Sequence, residues 1–274
     1  MTCVGMKQMD KTVKIVVAVH KPYDVLRDET YMPVHAGALG KADLGYQSDA
    51  QGEHISEKNG LYCELTALYW AWKNLKCDYL GLVHYRRHFK GKTKSNDKFD
   101  KIIKRQELET LLKKTDIILP TKRHYFIETL YSHYEHTHYI EDLEKSKKIL
   151  ETKYPQYLYA FDVVMKRRTG HMFNMFIMKK ELFFEYCEFL FSILFKIEKQ
   201  PIVRWAVKLF SQSVFDRSHK SRKRLFFIFT LTDELHFITT FNTRTKHAQY
   251  TLCIGGCISV YQHDVRFIQH RCTT

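Results

Sequence analysis

The stretch Tyr79-Leu80-Gly81-Leu82-Val83-His84-Tyr85-Arg86-Arg87-His88 decides how this chain is read. Its first five residues make a short apolar run, the pattern of a buried strand. The run stops abruptly at a cluster in which two adjacent arginines stand between histidines. Upstream, Leu61, Leu65, Leu68, Trp72 and Leu75 follow at spacings of 4, 3, 4 and 3, which predicts one amphipathic helix over 56–76, with Ser56 or Asn59 as its cap. Further upstream, the β-branched run 13–19 predicts another buried strand, ending in His20-Lys21-Pro22. The Gly-rich residues 36–54 predict a loop.

Downstream the alternation continues. Helices are predicted at 105–114, 141–153 and 180–196, and strands at 116–120 and 173–178. Two short apolar runs flank Gly255-Gly256 and predict a C-terminal hairpin over 251–260. Strands alternating with helices predict an α/β architecture with a mostly parallel sheet flanked by helices. Residues 1–198 are expected to form the main, Rossmann-like domain. Residues 199–274, a basic amphipathic segment and the hairpin, are expected to pack on it.

Composition narrows the function classes. The chain has 274 residues, 45% hydrophobic, with 19 Phe and 17 Tyr but only 5 Pro, which excludes a disordered or collagen-like chain. Seven cysteines without a CxxC pair argue against a disulfide framework or a zinc site and for a reducing, cytoplasmic setting. No secretory signal and no apolar run long enough to span a bilayer is expected. The formal net charge of +14 calls for anionic partners: phosphates, nucleic acid or a membrane surface.

In an open parallel sheet, ligands bind beyond the carboxyl ends of the strands. Two such ends are cationic here: His20 with Lys21, and His84, Tyr85, Arg86 and Arg87 with His88. Paired arginines suit a diphosphate through bidentate, charge-assisted hydrogen bonds. Phosphate loops of the GxxxxGK[ST] and GxGxxG types are absent, and so is any Asp-x-Asp pair. Cationic side chains are therefore expected to neutralise a diphosphate in place of a metal. Glu57, Lys58 and Asn59 stand at the predicted helix start, where anions are favoured, although ordinary capping explains them equally well. Glu64 lies about 60° from the leucine stripe at helical spacing, so it flanks the buried face and either pairs with a base or does chemistry. His136, His138 and Asp142 have metal-ligand chemistry, but such spacing is common on solvated loops and no metal is expected there.

Residues 199–224 carry eight lysines and arginines against Asp216 alone, interleaved with Trp205, Phe210 and Phe215. That mixture suits a helix lying in an anionic membrane interface through Arg204, Lys208, Lys220, Arg222, Lys223 and Arg224.

The blocks Ser56 to Asn59, Tyr62 to Asn74, Gly81 to Arg87 and Asn174 to Met178 resemble a family from bacterial capsule and exopolysaccharide loci. That family is described as a domain of unknown function and taken to be glycosyltransferases. The resemblance runs from about 13 to about 198 and thins afterwards; Thr232-Asp233-Glu234-Leu235 matches a family motif without its arginine. It implies a GT-A-like domain that binds a nucleotide-sugar donor, expected to be UDP-linked. Lys58, Asn59, Tyr62 and Asn174 would then join the cationic strand ends at the donor. A lipid-diphosphate-linked glycan would be the acceptor, at the inner face of the cell membrane. Glu64, Asp142 and Glu234 are the carboxylates expected to supply a base. No cofactor is expected, and a divalent cation stays open. Two rivals remain: a basic nucleic-acid-binding protein, and a non-catalytic member of a polysaccharide assembly complex.

Overall fold

Alternating side chains on the central strands divide the core in two. The computed structural model describes residues 11–138, 140–171 and 173–199, and the backbone of two short strands beyond them. Strand β1 (Val13–Val19) sends Val16 and Ala18 to one face of the sheet and Val13, Ile15, Val17 and Val19 to the other. Strand β2 (Tyr31–His35) and the two-residue β3 (Gln47–Ser48) continue the sheet on one side of β1. Strand β4 (Tyr79–His84) pairs with β1 on its other side, also in parallel. It divides in the same way, with Leu80 and Leu82 on one face and Tyr79 and Val83 on the other. Burial on both faces is why these strands read as unbroken apolar runs rather than as polar–apolar alternation.

After β4 a two-residue turn, Tyr85-Arg86, leads into β5 (Arg87–Phe89), which pairs back in antiparallel fashion through His84 and Arg87. Strand β6 (Ile117–Pro120) is followed by a small ribbon, β7 (Arg123–His124) with β8 (Thr169–Gly170). Strand β9 (Phe176–Lys179) then inserts between β4 and β6, antiparallel to both. The sheet is thus mostly parallel, as expected, with one reversed inner strand.

The C-terminal strands form, but the pairings described for them correct the expected hairpin. Strand β10 (Leu252–Ile254) runs parallel to β6, and β11 (Cys257–Ser259) runs antiparallel to β5. Open positions on existing strands capture each run separately. The remainder of 200–274, including Glu234 and the six cationic residues expected at a membrane, lies outside the described residues.

Helices cover both faces. The predicted helix over 56–76 is broken: a 3-10 turn at Ser56–Lys58 and α1 (Asn59–Tyr62) are followed by a break, then by α2 (Leu65–Asn74). Cys63, with φ of 49°, reverses the chain at the break. Both the Asn59 amide and the Thr66 hydroxyl donate to its carbonyl oxygen, at 2.7 and 3.1 Å. Periodicity cannot register a break of this kind, because the leucine spacing runs straight through it. Helix α3 (Arg105–Leu112) covers one face. Helices α4 (Leu130–Thr137), α5 (Ile140–Lys153) and α6 (Leu158–Met165) gather on the other with α7 (Lys180–Glu198). Trp72 of α2 stacks on Phe191 of α7, with ring centroids 5.7 Å apart.

Strand β2 escapes the sequence reading because Pro33 interrupts it. Thr30 O and Ala36 N bond to β1, so by alternation Pro33 turns its missing donor away from β1, toward an edge that β3 covers only at Val34 and His35. Beyond β2, fully buried Asp49 pins the loop. Its carboxylate accepts from Gly37 N at 2.7 Å, Ala38 N at 2.9 Å and Ser56 Oγ at 2.6 Å. Asp49→Asn would turn an amide donor toward one of these donors. It is expected to lower unfolding free energy by about 2 to 3 kcal/mol in urea titrations.

Candidate functional site

Strands β1, β2, β4 and β6 end at one edge of the sheet, and antiparallel β9 begins there. This edge gathers the polar residues. His20 follows β1, His35 closes β2 and His84 closes β4. Partial desolvation, then the neighbouring cations Lys21, Arg86 and Lys41, hold the His20 imidazole below its ordinary pKa. Burial and Lys41 do the same for His35. The edge is therefore a cluster of fixed positive charge with imidazoles that stay neutral beside it, the electrostatic complement of a polyanion.

Glu64 comes to this edge because of the break at Cys63. It stands at the start of α2 rather than along a continuous helix, which corrects the expected position beside the leucine stripe. The Asn174 side-chain amide donates to Glu64 Oε1 at 2.8 Å. The His84 Nε2–H donates to the carbonyl of Phe173, so the Nδ1 of the neutral ring is left as the acceptor. Burial pushes the His84 pKa down, and Glu64 opposes that shift. Phe173 and Asn174 have φ of 78° and 51°. With Cys63, they are the non-glycine residues at positive φ among the described residues, and all three adjoin the Glu64–Asn174 bond. Backbone strain of about 1 to 3 kcal/mol at each persists only where the surroundings enforce it, and such strain gathers at functional sites.

The two arginines are carried on aromatic rings. The Arg86 guanidinium lies 4.8 Å from the centroid of Tyr85, and Arg87 lies 4.2 Å from that of Phe173. Tyr85 is itself buried, wedged edge-on between His20 and Tyr23 at 5.0 and 4.9 Å. It acts as a platform for Arg86, and Lys21 Nζ stands 6.0 Å from the same ring.

Other residues singled out in the sequence sit elsewhere or serve the frame. Lys58 Nζ pairs with Glu198 at 2.8 Å, and the Tyr62 hydroxyl donates to the same carboxylate oxygen at 3.0 Å. These bonds lock the 3-10 turn and α1 to the end of α7. Asn59 fastens the break at Cys63. Asp142 is buried in α5, 3.8 Å from Lys145. His136 does not meet a metal set: its Nδ1 bonds Glu128 at 2.6 Å, as that of His133 does at 2.8 Å. Among the described residues no three His, Cys, Asp or Glu side chains converge on a common point as metal ligands. The sequence reading missed His35, Lys41 and Phe173. His35 was hidden with β2, and nothing local marks the backbone reversal at Phe173.

The model of a family described as a domain of unknown function, DUF4422, matches residues 14–207. The chain belongs to this family. The DUF4422 region contains every residue at the sheet edge described above. The chain is also similar to a solved structure, the apo form of the WbbM bifunctional glycosyltransferase. The TM-score is 0.69 at 29% identity, over 85% of this chain and 43% of that one. The DUF4422 chain thus spans less than half the length of that protein. Together with the mostly parallel sheet and its flanking helices, the likeness identifies an α/β fold of the GT-A-like kind. No curated protein matches.

His88, just beyond the arginines, is 1% exposed, and burial pushes its pKa down to about 4. In the unfolded chain an ordinary histidine is protonated below about 6.5. Between these values the unfolded state binds the extra proton, so acidification drains stability, by about 1.4 kcal/mol per pH unit from this group. Urea titrations from pH 7 to pH 4 are expected to show a shallower decline for His88→Phe than for the parent.

Proposed function

We propose that this DUF4422 chain is a glycosyltransferase that moves a sugar from a nucleotide-sugar donor to a glycan acceptor. The observation that carries the reading is the meeting of a half-buried carboxylate, Glu64, with the cationic strand ends of a GT-A-like sheet. The likeness to a bifunctional glycosyltransferase at 29% identity supports it.

In the proposed reaction the acceptor hydroxyl oxygen attacks the anomeric carbon. The bond from that carbon to the diphosphate oxygen breaks, and the nucleoside diphosphate leaves with the electron pair. Glu64 takes the hydroxyl proton, as an inverting transfer requires. Arg86 and Arg87, with Lys21, neutralise the charge that builds on the leaving diphosphate, and the neutral His20 ring offers it a hydrogen bond. Asn174 orients Glu64, and His84 fixes the Phe173 carbonyl beside it. A buried carboxylate such as Asp142 has no access to an acceptor hydroxyl, which favours Glu64 over it. Fixed cations at the donor, and a sequence without Asp-x-Asp, favour neutralisation by side chains over a divalent ion. The frame residues Lys58, Asn59 and Tyr62 would act on the donor through the shape of the break at Cys63.

The finer reading is transfer of a UDP-linked sugar to a lipid-diphosphate-linked glycan in capsule or exopolysaccharide synthesis, at the inner face of the cell membrane. Its supports are the basic charge and the amphipathic composition of 199–224. No helix among the described residues is long and apolar enough to cross a membrane.

Thermal-shift measurements against UDP-, GDP-, CMP- and dTDP-sugars, each with EDTA and with manganese, test the reading. Stabilisation by one nucleotide class, unaffected by EDTA, is expected. Arg86→Ala is expected to weaken that binding about tenfold to a hundredfold with the fold intact. Glu64→Gln is expected to retain donor binding and lose about 100- to 10,000-fold in turnover. Salt-sensitive binding to nucleic acid with no response to any sugar nucleotide would overturn the proposal.

A further inference from the structure

A second feature at the same edge of the sheet is apolar and exposed. The ribbon of β7 and β8 pairs Arg123 with Gly170 and His124 with Thr169. Beyond it, Tyr125 N donates to Arg168 O and Leu130 N to Arg167 O, both at 2.7 Å. The Thr129 hydroxyl caps α4 by accepting from Ser132 N at 3.1 Å. Backbone and cap therefore hold the tip between them, Phe126-Ile127, in a defined position. Yet Phe126 is 76% exposed and Ile127 88% exposed, and they are the adjacent pair among the large hydrophobic residues described as exposed.

Single exposed apolar residues are ordinary, whereas an ordered apolar pair with a charged rim marks a contact surface. The rim here has one sign. Lys122, Arg123, Lys166 and Arg168 are all exposed: Lys122 and Arg123 lie at the start of β7, and Lys166, at the end of α6, and Arg168 lead into β8. The acid beside the tip, Glu128, is held by His133 and His136. These two hydrogen bonds keep its carboxyl below the usual carboxylate range.

We propose that the Phe126-Ile127 tip and its basic rim form a docking surface for an anionic phospholipid membrane. Phe126 and Ile127 would enter the boundary between headgroups and acyl chains, and the four cations would meet lipid phosphates. The charge pattern selects this occupant. A neutral glycan gives four cations no partner, and a nucleic acid gives an aliphatic Ile127 none. The position adds a consequence that rests on the glycosyltransferase reading. The ribbon leaves the sheet after β6 and returns before β9, so the tip lies at the edge where Glu64 and Arg86 stand. A lipid-linked acceptor would then arrive on the catalytic side of the molecule. None of its residues belongs to the basic stretch 199–224.

Sedimentation of the full chain with vesicles tests the proposal without any sugar. One set of vesicles is phosphatidylcholine alone, and the other contains one third phosphatidylglycerol. The parent is expected to sediment with the anionic vesicles and far less with the neutral ones. Phe126→Ser with Ile127→Ser, and separately glutamine at Lys122, Arg123, Lys166 and Arg168, are each expected to weaken anionic-vesicle binding by about tenfold or more. Melting temperature and donor-induced thermal shift should stay at parent values, since these residues lie outside the candidate site. Sedimentation of the tip variant equal to that of the parent would overturn the proposal. So would binding lost only on neutralising Lys220, Arg222, Lys223 and Arg224. A tip variant that sediments normally but changes hydrodynamic size would reassign the surface to contact between copies of the chain. Loss of the donor response in the parent, with vesicle binding kept, would sink the transferase reading and leave this one standing.

Discussion

The hydrogen bond from Asn174 to Glu64 joins positions 110 residues apart, and the geometry of the sheet edge depends on it. On one side it requires the chain to reverse at Cys63, so that Glu64 opens a helix instead of lying along one. On the other it requires Phe173 and Asn174 to hold left-handed backbone just before β9 enters the sheet. Each of these positions is disfavoured for a residue with a side chain. Side-chain bonds to the Cys63 carbonyl and the His84 bond to the Phe173 carbonyl over-determine both reversals. Burial of the central strands on both faces supplies the rigidity against which this strain is held.

Charge at the same edge is divided between two kinds of group. Arg86 and Arg87 are permanent cations, each laid on an aromatic ring that limits its freedom before any ligand arrives. His20, His35 and His84 have pKa values lowered by desolvation and by neighbouring cations, so they are neutral where the arginines are charged. A site of this kind holds strong hydrogen-bond donors together without the full repulsion of five adjacent positive charges. It also gives a structural reason for arginines immediately after a strand: the two-residue turn at Tyr85 and Arg86 lays Arg86 on Tyr85 and Arg87 on Phe173.

Much of the architecture was legible in the sequence. The strands at 13–19 and 79–83 and the helices α3, α5 and α7 follow from apolar pattern alone, because burial on two faces or one stripe leaves a periodic trace. Elements with weaker traces were lost: β2 to the proline at its centre, α4 to its mixed polar composition, and α6 because eight nearly all-apolar residues carry no helical stripe. The cationic cluster at 84–88 was legible because its members adjoin in sequence. His35 and Lys41 were not, since only the parallel pairing of β2 with β1 carries them to the same edge.

The sequence by itself determined an α/β chain with a mostly parallel sheet, a diphosphate-compatible pair of arginines at a strand end, and Glu64 as one of three carboxylates worth testing. Tertiary structure alone decided that Glu64 meets Asn174 and that Asp142 is shut into a helix layer. It alone decided that Lys58 and Tyr62 hold the frame through Glu198, and that Phe126 and Ile127 stand out from a basic ribbon. The physical reason is common to all four. Periodicity and composition report how a residue relates to its near neighbours in the chain, whereas contacts between distant parts of the chain depend on strand order and on backbone reversals that no local pattern encodes.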